Sequence, residues 1–113
     1  MIDSLLSQEY CSKTNNCSHF FVKAWETVAE PLNSEGVCEE DFEIALISAL
    51  DEFQRIERVS SPCAVLMSNT NAPSHLGLFF NNKVIHMTPQ GVICQSLKAA
   101  TISFSKVRFY KKK

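Results

Sequence analysis

The sequence predicts a single α+β domain in which N-terminal helices pack on an antiparallel sheet. Apolar residues recur at helical spacing up to about residue 58, and the pattern changes to that of short strands after Ser60-Ser61-Pro62. Because the helices come first and the strands follow, we expect the helices on one face of the sheet. The chain has 113 residues, enough for one domain with one core, so residues 1–113 are assigned to a single domain.

Two helices are predicted in the first half of the chain. Asn15 or Asn16 can cap a helix from about Cys17 to Ala29. A second helix is predicted from about Glu39 to Arg58, with acidic residues suited to its N-terminal dipole. The apolar faces comprise Cys17, Phe20, Phe21, Ala24, Trp25 and Val28 in the first helix, and Phe42, Leu46, Ala49, Leu50, Phe53 and Ile56 in the second.

Five strands are predicted in the second half, with a hairpin at their centre. Asn81-Asn82 suits a two-residue turn, since asparagine tolerates the positive φ that such a turn needs. The predicted strands are Cys63–Met67, His75–Phe80, Lys83–Met87, Gly91–Leu97 and Lys106–Tyr110.

This hairpin would bring two histidines together. If Asn81-Asn82 is the turn, His75 and His86 lie on one face as diagonal neighbours, about 7–8 Å apart at the backbone. Gly77 lies between them without a side chain, which leaves room for the rings to meet. The sequence therefore predicts an imidazole pair.

Composition excludes several classes of protein. Apolar residues make up 45% and charged residues 20%, and the net charge is −1, so no overall charge indicates nucleic acid or membrane as a partner. Lys111-Lys112-Lys113 is interpreted as a solvated tail.

The first ten residues do not resemble a signal peptide, so synthesis in the cytoplasm is expected. Five cysteines without paired spacing indicate a reducing compartment rather than a disulfide framework.

Cys17 is the candidate nucleophile. A thiol at a helix N-terminus is favoured as the thiolate by the backbone dipole. In nucleophilic catalysis by a thiol, an imidazole takes the thiol proton and later protonates the leaving amine, and a third group orients that imidazole. The backbone N–H of Cys17 is a candidate oxyanion donor.

The segments "NNCSHFFVKAW", "PCAVLMSNTNAPSHLGLFFNNKVIHMTPQGVICQSL" and "VRFY" resemble the NlpC-type cysteine peptidases, compact papain-like enzymes that cut peptidoglycan stem peptides. The closest similarity is to the small phage-encoded members, often associated with tails. The resemblance implies a papain-like fold, the catalytic triad Cys17, His75 and His86, and no cofactor. Tyr10 weakly matches a tyrosine that helps line the site, and Ser18 is a weak candidate for the substrate or oxyanion region.

Two positions depart from the family pattern. Asn16 replaces the usual acidic residue before the nucleophile, and His19 replaces the usual glycine after Cys-Ser. The second change alters the wall of the cleft and leaves the substrate open. His19 itself is two positions along the helix from Cys17, about 200° of rotation, and is interpreted as a packing or capping residue. The sequence shows no wall-anchoring domain, so a larger assembly, such as a phage tail and its proteins, is a candidate partner besides the peptide substrate.

Alternatives to a peptidase remain open on the sequence. The same thiol could serve a deamidase or a transacylase, or the chain could be a catalytically silent binding module. A zinc site would use Cys11, Cys17, His19, His75 and His86, although their spacing is unusual for zinc ligands. A metal assay separates this alternative from the peptidase.

Overall fold

The computed structural model describes residues 6–9, 17–29, 53–69 and 75–113. Helix α1 (Cys17–Val28) is the long helix of this part of the chain, and α2 (Leu97–Thr101) is a short one. The strands are β1 (Phe53–Ile56), β2 (Cys63–Ser68), β3 (His75–Phe80), β4 (Lys83–Thr88), β5 (Gly91–Gln95) and β6 (Lys106–Lys112).

The six strands form one antiparallel sheet in the order β1-β6-β2-β3-β4-β5. Helix α1 packs across β3 and β4, at the centre of the sheet, and α2 packs on β4. The edge strands are therefore β1 and β5. None of the helices in the described ranges is long and apolar enough to cross a bilayer.

The predicted fold class is wrong. The domain is small and consists mostly of antiparallel sheet, with a single helix of more than seven residues among those described, rather than N-terminal helices packed on a sheet in a papain-like NlpC-type fold. Part of the cause lies in the predicted helix Glu39–Arg58, whose segment Phe53–Ile56 forms strand β1 and pairs with β6. The remainder of that helix up to residue 52 lies outside the described residues.

The error at β1 has a physical reason. Phe53 and Ile56 are three positions apart, which fits one face of a helix, and four residues cannot separate a helical from a strand pattern. In the strand their side chains point to opposite faces of the sheet, and each joins a different core cluster. The strand thus buries Phe53 and partly buries Ile56, because there is a core on each side.

Each face of the sheet carries one apolar cluster. The α1-face cluster comprises Cys17, Phe20, Phe21, Val22, Ala24, Trp25, Phe53, Ala64, Leu76, Leu78, Ile85 and Met87, with Val28, Leu66, Phe80, Val92 and Tyr110 partly buried against it. The α2-face cluster comprises Cys63, Val65, Met67, Phe79, Val84 and Ala100, with Ile56, Leu97, Phe104, Val107 and Phe109 partly buried against it. Because both faces are covered, β2 has a nearly continuous apolar sequence rather than an alternating one.

The prediction of the first helix is confirmed, with an end one residue earlier than expected. Its apolar face is buried as the spacing predicts, and Trp25 is 3% exposed. The ring of Phe53 meets those of Phe21 and Trp25 edge-on, at centroid distances of 5.6 and 4.9 Å. These aromatic contacts stabilise the packing of α1 against the edge of the sheet at β1.

The five predicted strands are also present, with small differences at their ends. The largest differences are two residues each. Strand β6 continues to Lys112 instead of ending at Tyr110, so Lys111 and Lys112 pair with β1 and the interpretation of these lysines as a solvated tail is wrong. Strand β5 stops at Gln95 instead of continuing to Leu97. Ser96 caps the short helix α2 there, since its hydroxyl accepts a hydrogen bond from the backbone N–H of Ala99 at 3.2 Å. The capping serine therefore ends the strand and turns the chain back over the sheet.

Candidate functional site

Two imidazole rings meet on the α2 face of the central hairpin. Nε2 of His75 and Nδ1 of His86 share a hydrogen bond of 2.6 Å, and the ring planes are inclined at 74° with centroids 4.8 Å apart. His86 is buried, and His75 is partly buried. The predicted imidazole pair is thus present in the structure.

The turn between β3 and β4 produces this meeting. Asn81 and Asn82 both have positive φ, of 51° and 65°, and Phe79 pairs with Val84 as predicted. Gly77 faces His86 across the hairpin, and a Cβ built on it would lie 3.3 Å from the Cβ of His86 and 3.0 Å from Cγ1 of Val84. A side chain at Gly77 would therefore crowd the base of the histidine pair.

The ring pair lies beyond the end of the β3–β4 ladder. The ladder joins Phe80 to Lys83, Phe79 to Val84 and Leu78 to Ile85. Farther along, β3 continues its pairing with β2 as far as His75, and β4 continues its pairing with β5 as far as Thr88. The ring–ring hydrogen bond consequently links two strands beyond the point where their backbone pairing ends.

Two further side chains complete the surroundings of the rings. Oε1 of Gln95 lies 3.0 Å from Nε2 of His86, so His86 has a partner at each ring nitrogen. Phe104 stacks on His75 with nearly parallel planes, 4° apart, at a centroid distance of 6.3 Å. Sequence reasoning missed both residues. The register of β4 with β5 was the signal for Gln95, since it pairs Gln95 with Val84, diagonal to His86.

Burial keeps both imidazoles neutral near pH 7. Desolvation, with the charge of His86 as a smaller cause, lowers the pKa of His75 from 6.5 to about 4. Desolvation also lowers the pKa of His86, against which the hydrogen bond to Gln95 acts in the opposite direction. Neutral imidazole is the form that can accept a proton, so both rings are in the state required of a general base.

Cys17 is the first residue of α1, as predicted, and its side chain is 5% exposed. It belongs to the α1-face cluster. His75 alternates with Leu76 along β3, and His86 alternates with Ile85 along β4, so the imidazoles lie on the opposite face. The structure therefore brings His75 and His86 together, and it places Cys17 on the helix side of the sheet that carries them.

The remaining candidates are placed as follows. Tyr10 and Cys11 lie outside the described residues, and Ser18 follows Cys17 in the first turn of α1. His19 is 6% exposed and packs in the interior, in agreement with the packing role expected of it. Within the described ranges, no group of three or more histidine, cysteine or acidic residues is arranged to hold a metal ion, so the zinc alternative gains no support there.

No protein-family model matches the sequence, and no curated protein matches it. A function for this protein must therefore be argued from the chemistry of the residues themselves.

Proposed function

We propose that this protein is a thiol-dependent hydrolase of the cysteine peptidase type, in which Cys17 is the nucleophile, His75 the general base and His86 the residue that orients His75. The observation that carries the proposal is the 2.6 Å hydrogen bond between the two rings, which occupies Nε2 of His75. Nδ1 is the remaining ring nitrogen of His75, and a low pKa keeps it free of a second proton at neutral pH. Nucleophilic catalysis by cysteine requires a neutral, oriented imidazole of this kind to take the proton of the thiol.

The reaction has two stages. In the first, Nδ1 of His75 takes the proton of the Cys17 thiol while the sulfur attacks the carbonyl carbon of a peptide bond. A C–S bond forms, the C–N bond breaks, and the proton passes from His75 to the leaving amine. In the second, His75 takes a proton from water and the resulting hydroxide attacks the carbonyl carbon of the thioester. A C–O bond forms, the C–S bond breaks, and the proton passes from His75 to the sulfur of Cys17 as the acid product leaves.

The position of Cys17 at a helix N-terminus supports its role as nucleophile, but its position on the α1 face means that the proposal holds only under one condition. Its place at the start of a 12-residue helix favours the thiolate, because the helix dipole stabilises negative charge at the N-terminus. The condition is that the thiol reaches Nδ1 of His75 from the α1 face. The β3–β4 pairing ends before His75, and the contact that the proposal requires would be made at that end of β3.

For the substrate we propose peptide bonds of peptidoglycan stem peptides, with phage tail proteins as a candidate assembly. This part of the proposal is supported by the resemblance of the segments around Cys17, His75 and His86 to the NlpC-type peptidases. A deamidase or a transacylase would use the same first stage and differ only in the bond attacked or in the acceptor. The products formed are therefore what separates the three activities.

The test of the function is product analysis. Purified muropeptides are incubated with the wild-type protein, with Cys17→Ala and with Cys94→Ala, and the products are identified by mass spectrometry. Cys94 is an exposed thiol on the edge strand β5, so its replacement is a matched control for the loss of a cysteine. Cleavage by wild type and Cys94→Ala but not by Cys17→Ala is expected. Equal cleavage by all three proteins would remove Cys17 from the mechanism.

The reactivity of Cys17 can be tested without a substrate. Cys94 is exposed and would react first for that reason alone, so the experiment uses the Cys94→Ala protein. Cys63 is the comparison, because burial raises the pKa of its thiol. Brief treatment with iodoacetamide at about pH 6, followed by peptide mapping, should label Cys17 before Cys63. Labelling of Cys63 first would show that Cys17 is an ordinary buried thiol.

A further inference from the structure

The side chain of Gln95 is placed to control which nitrogen of His75 carries the proton. Gln95 is the last residue of β5 and is partly buried. It pairs with Val84, and His86 pairs with Ile93, so Gln95 and His86 are diagonal neighbours on one face. The resulting contact joins Oε1 of Gln95 to Nε2 of His86 at 3.0 Å.

An amide oxygen accepts hydrogen bonds and cannot donate them. Nε2 of His86 must therefore carry the hydrogen that lies between it and Gln95. A neutral imidazole has one N–H, so Nδ1 of His86 has a lone pair and can only accept. Across the 2.6 Å contact, Nε2 of His75 must then be the donor. Its single proton is used there, and Nδ1 of His75 is left as the bare, basic nitrogen.

We propose that Gln95 is a positioning residue that, through His86, selects the Nε2–H tautomer of His75 and so presents Nδ1 as the base. The catalytic consequence depends on the function proposed above, whereas the tautomer does not. The chain of three side chains runs across three strands, β3, β4 and β5, and each link is a direct hydrogen bond. The amide oxygen thus fixes three ring nitrogens as donor or acceptor and leaves Nδ1 of His75 as the nitrogen without a proton.

The orientation of the Gln95 amide decides the result. If the amide nitrogen faced His86, Nε2 of His86 would accept and Nδ1 would carry the hydrogen. Nε2 of His75 would then be the acceptor, and its proton would lie on Nδ1, where the proposed base has to be free. A side chain at position 95 that can only accept hydrogen bonds should thus preserve the Nε2–H tautomer of His75. A side chain without polar atoms should allow both tautomers.

The experiment measures the tautomers directly. The ¹⁵N resonances of the ring nitrogens of His75 and His86 are recorded at neutral pH in wild type, Gln95→Glu, Gln95→Leu and Gln54→Leu. Gln54 lies exposed on the opposite edge strand β1, so Gln54→Leu is a control for the same chemical change. We expect Nε2–H on both rings in wild type, Gln95→Glu and the control, and a mixture of tautomers in Gln95→Leu.

Activity on muropeptides provides the second readout. Gln95→Glu should stay within a few-fold of wild type. Gln95→Leu should lose about 10-fold in kcat, which is less than the roughly 10²–10⁴-fold contributed by general acid–base catalysis, because a mixture of tautomers still contains the productive one. Nδ1–H on His75 in wild type, or unchanged tautomers in Gln95→Leu, would overturn the inference. If the tautomers shift as expected and no variant cleaves muropeptides, the role of Gln95 stands and the hydrolase proposal fails.

Discussion

The burial of His75 predicts that the stability of the protein depends on pH in the weakly acidic range. The pKa of His75 is about 4 in the folded protein, against 6.5 for an ordinary histidine. Because one pKa unit corresponds to about 1.4 kcal/mol, this difference is equivalent to about 3 kcal/mol. The unfolded chain binds a proton at His75 below about pH 6.5, whereas the folded protein resists that proton until about pH 4.

The direction of the effect follows from this difference in proton binding. Between about pH 6.5 and pH 4 the unfolded state holds more protons, so acid favours unfolding. The contribution of His75 is fully favourable above about pH 6.5, declines as the pH falls, and levels off below about pH 4. The lowered pKa of His86 acts in the same direction. A loss of about 3 kcal/mol would be a large fraction of the stability of a small domain.

Urea denaturation of wild type and His75→Gln at about pH 7 and pH 4 measures the effect. Glutamine at position 75 binds no proton but can still donate a hydrogen bond to Nδ1 of His86. The other titrating groups are common to both proteins, so the comparison cancels most of their contribution. We expect the free energy of unfolding of wild type to fall by about 3 kcal/mol more than that of the variant. The same fall in both proteins would refute the assignment of a buried, neutral His75.

Three further predictions concern the immediate surroundings of the histidine pair. Gly77→Ala should lower the free energy of unfolding by about 1–3 kcal/mol in urea denaturation, because its Cβ would lie 3.0 Å from a methyl group of Val84; no change would mean that β4 yields at that point. Asn82→Val should cost about 1–2 kcal/mol in the same assay, since a β-branched residue opposes a φ of 65°, whereas Asn82→Gly should be neutral or stabilising. Phe104→Ala should raise the pKa of His75 toward 6.5, as measured by NMR titration, because it removes a ring that shields the imidazole from water; an unchanged pKa would show that other groups bury the ring.

The histidine pair could be predicted from sequence because it depends on local rules. Two asparagines between two apolar runs specify a two-residue turn, and strand alternation then assigns His75 and His86 to one face. These rules involve residues close together in the chain. The prediction of α1 succeeded for the same reason, since one apolar stripe at helical spacing specifies both the helix and its buried face.

What depended on distant contacts was not predictable in the same way. Strand β1 forms because β6, more than fifty residues later in the chain, supplies its hydrogen bonds. No sequence pattern near Phe53 predicts that pairing. The predicted fold class failed at this point. Phe104 reaches His75 through a loop after α2, and the helix-capping role of Ser96 was hidden in a segment that also fits a strand. The opposite placement of Cys17 and the imidazoles likewise depends on the covered second face, which the sequence did not reveal.

The order of the strands has a consequence for how the hydrogen bonds of the histidine pair would be lost. Gln95 lies on β5, which is held to the sheet by β4 on one side only. Backbone pairs at an edge open more readily than those at the centre, and they do so without unfolding the rest of the domain. Such a local opening would part Gln95 from His86 while both core clusters stayed packed, and water would replace the amide oxygen. The proton on His75 would then be free to exchange between its two ring nitrogens. The fixed assignment of donor and acceptor within the histidine pair would therefore be lost well before the protein unfolded.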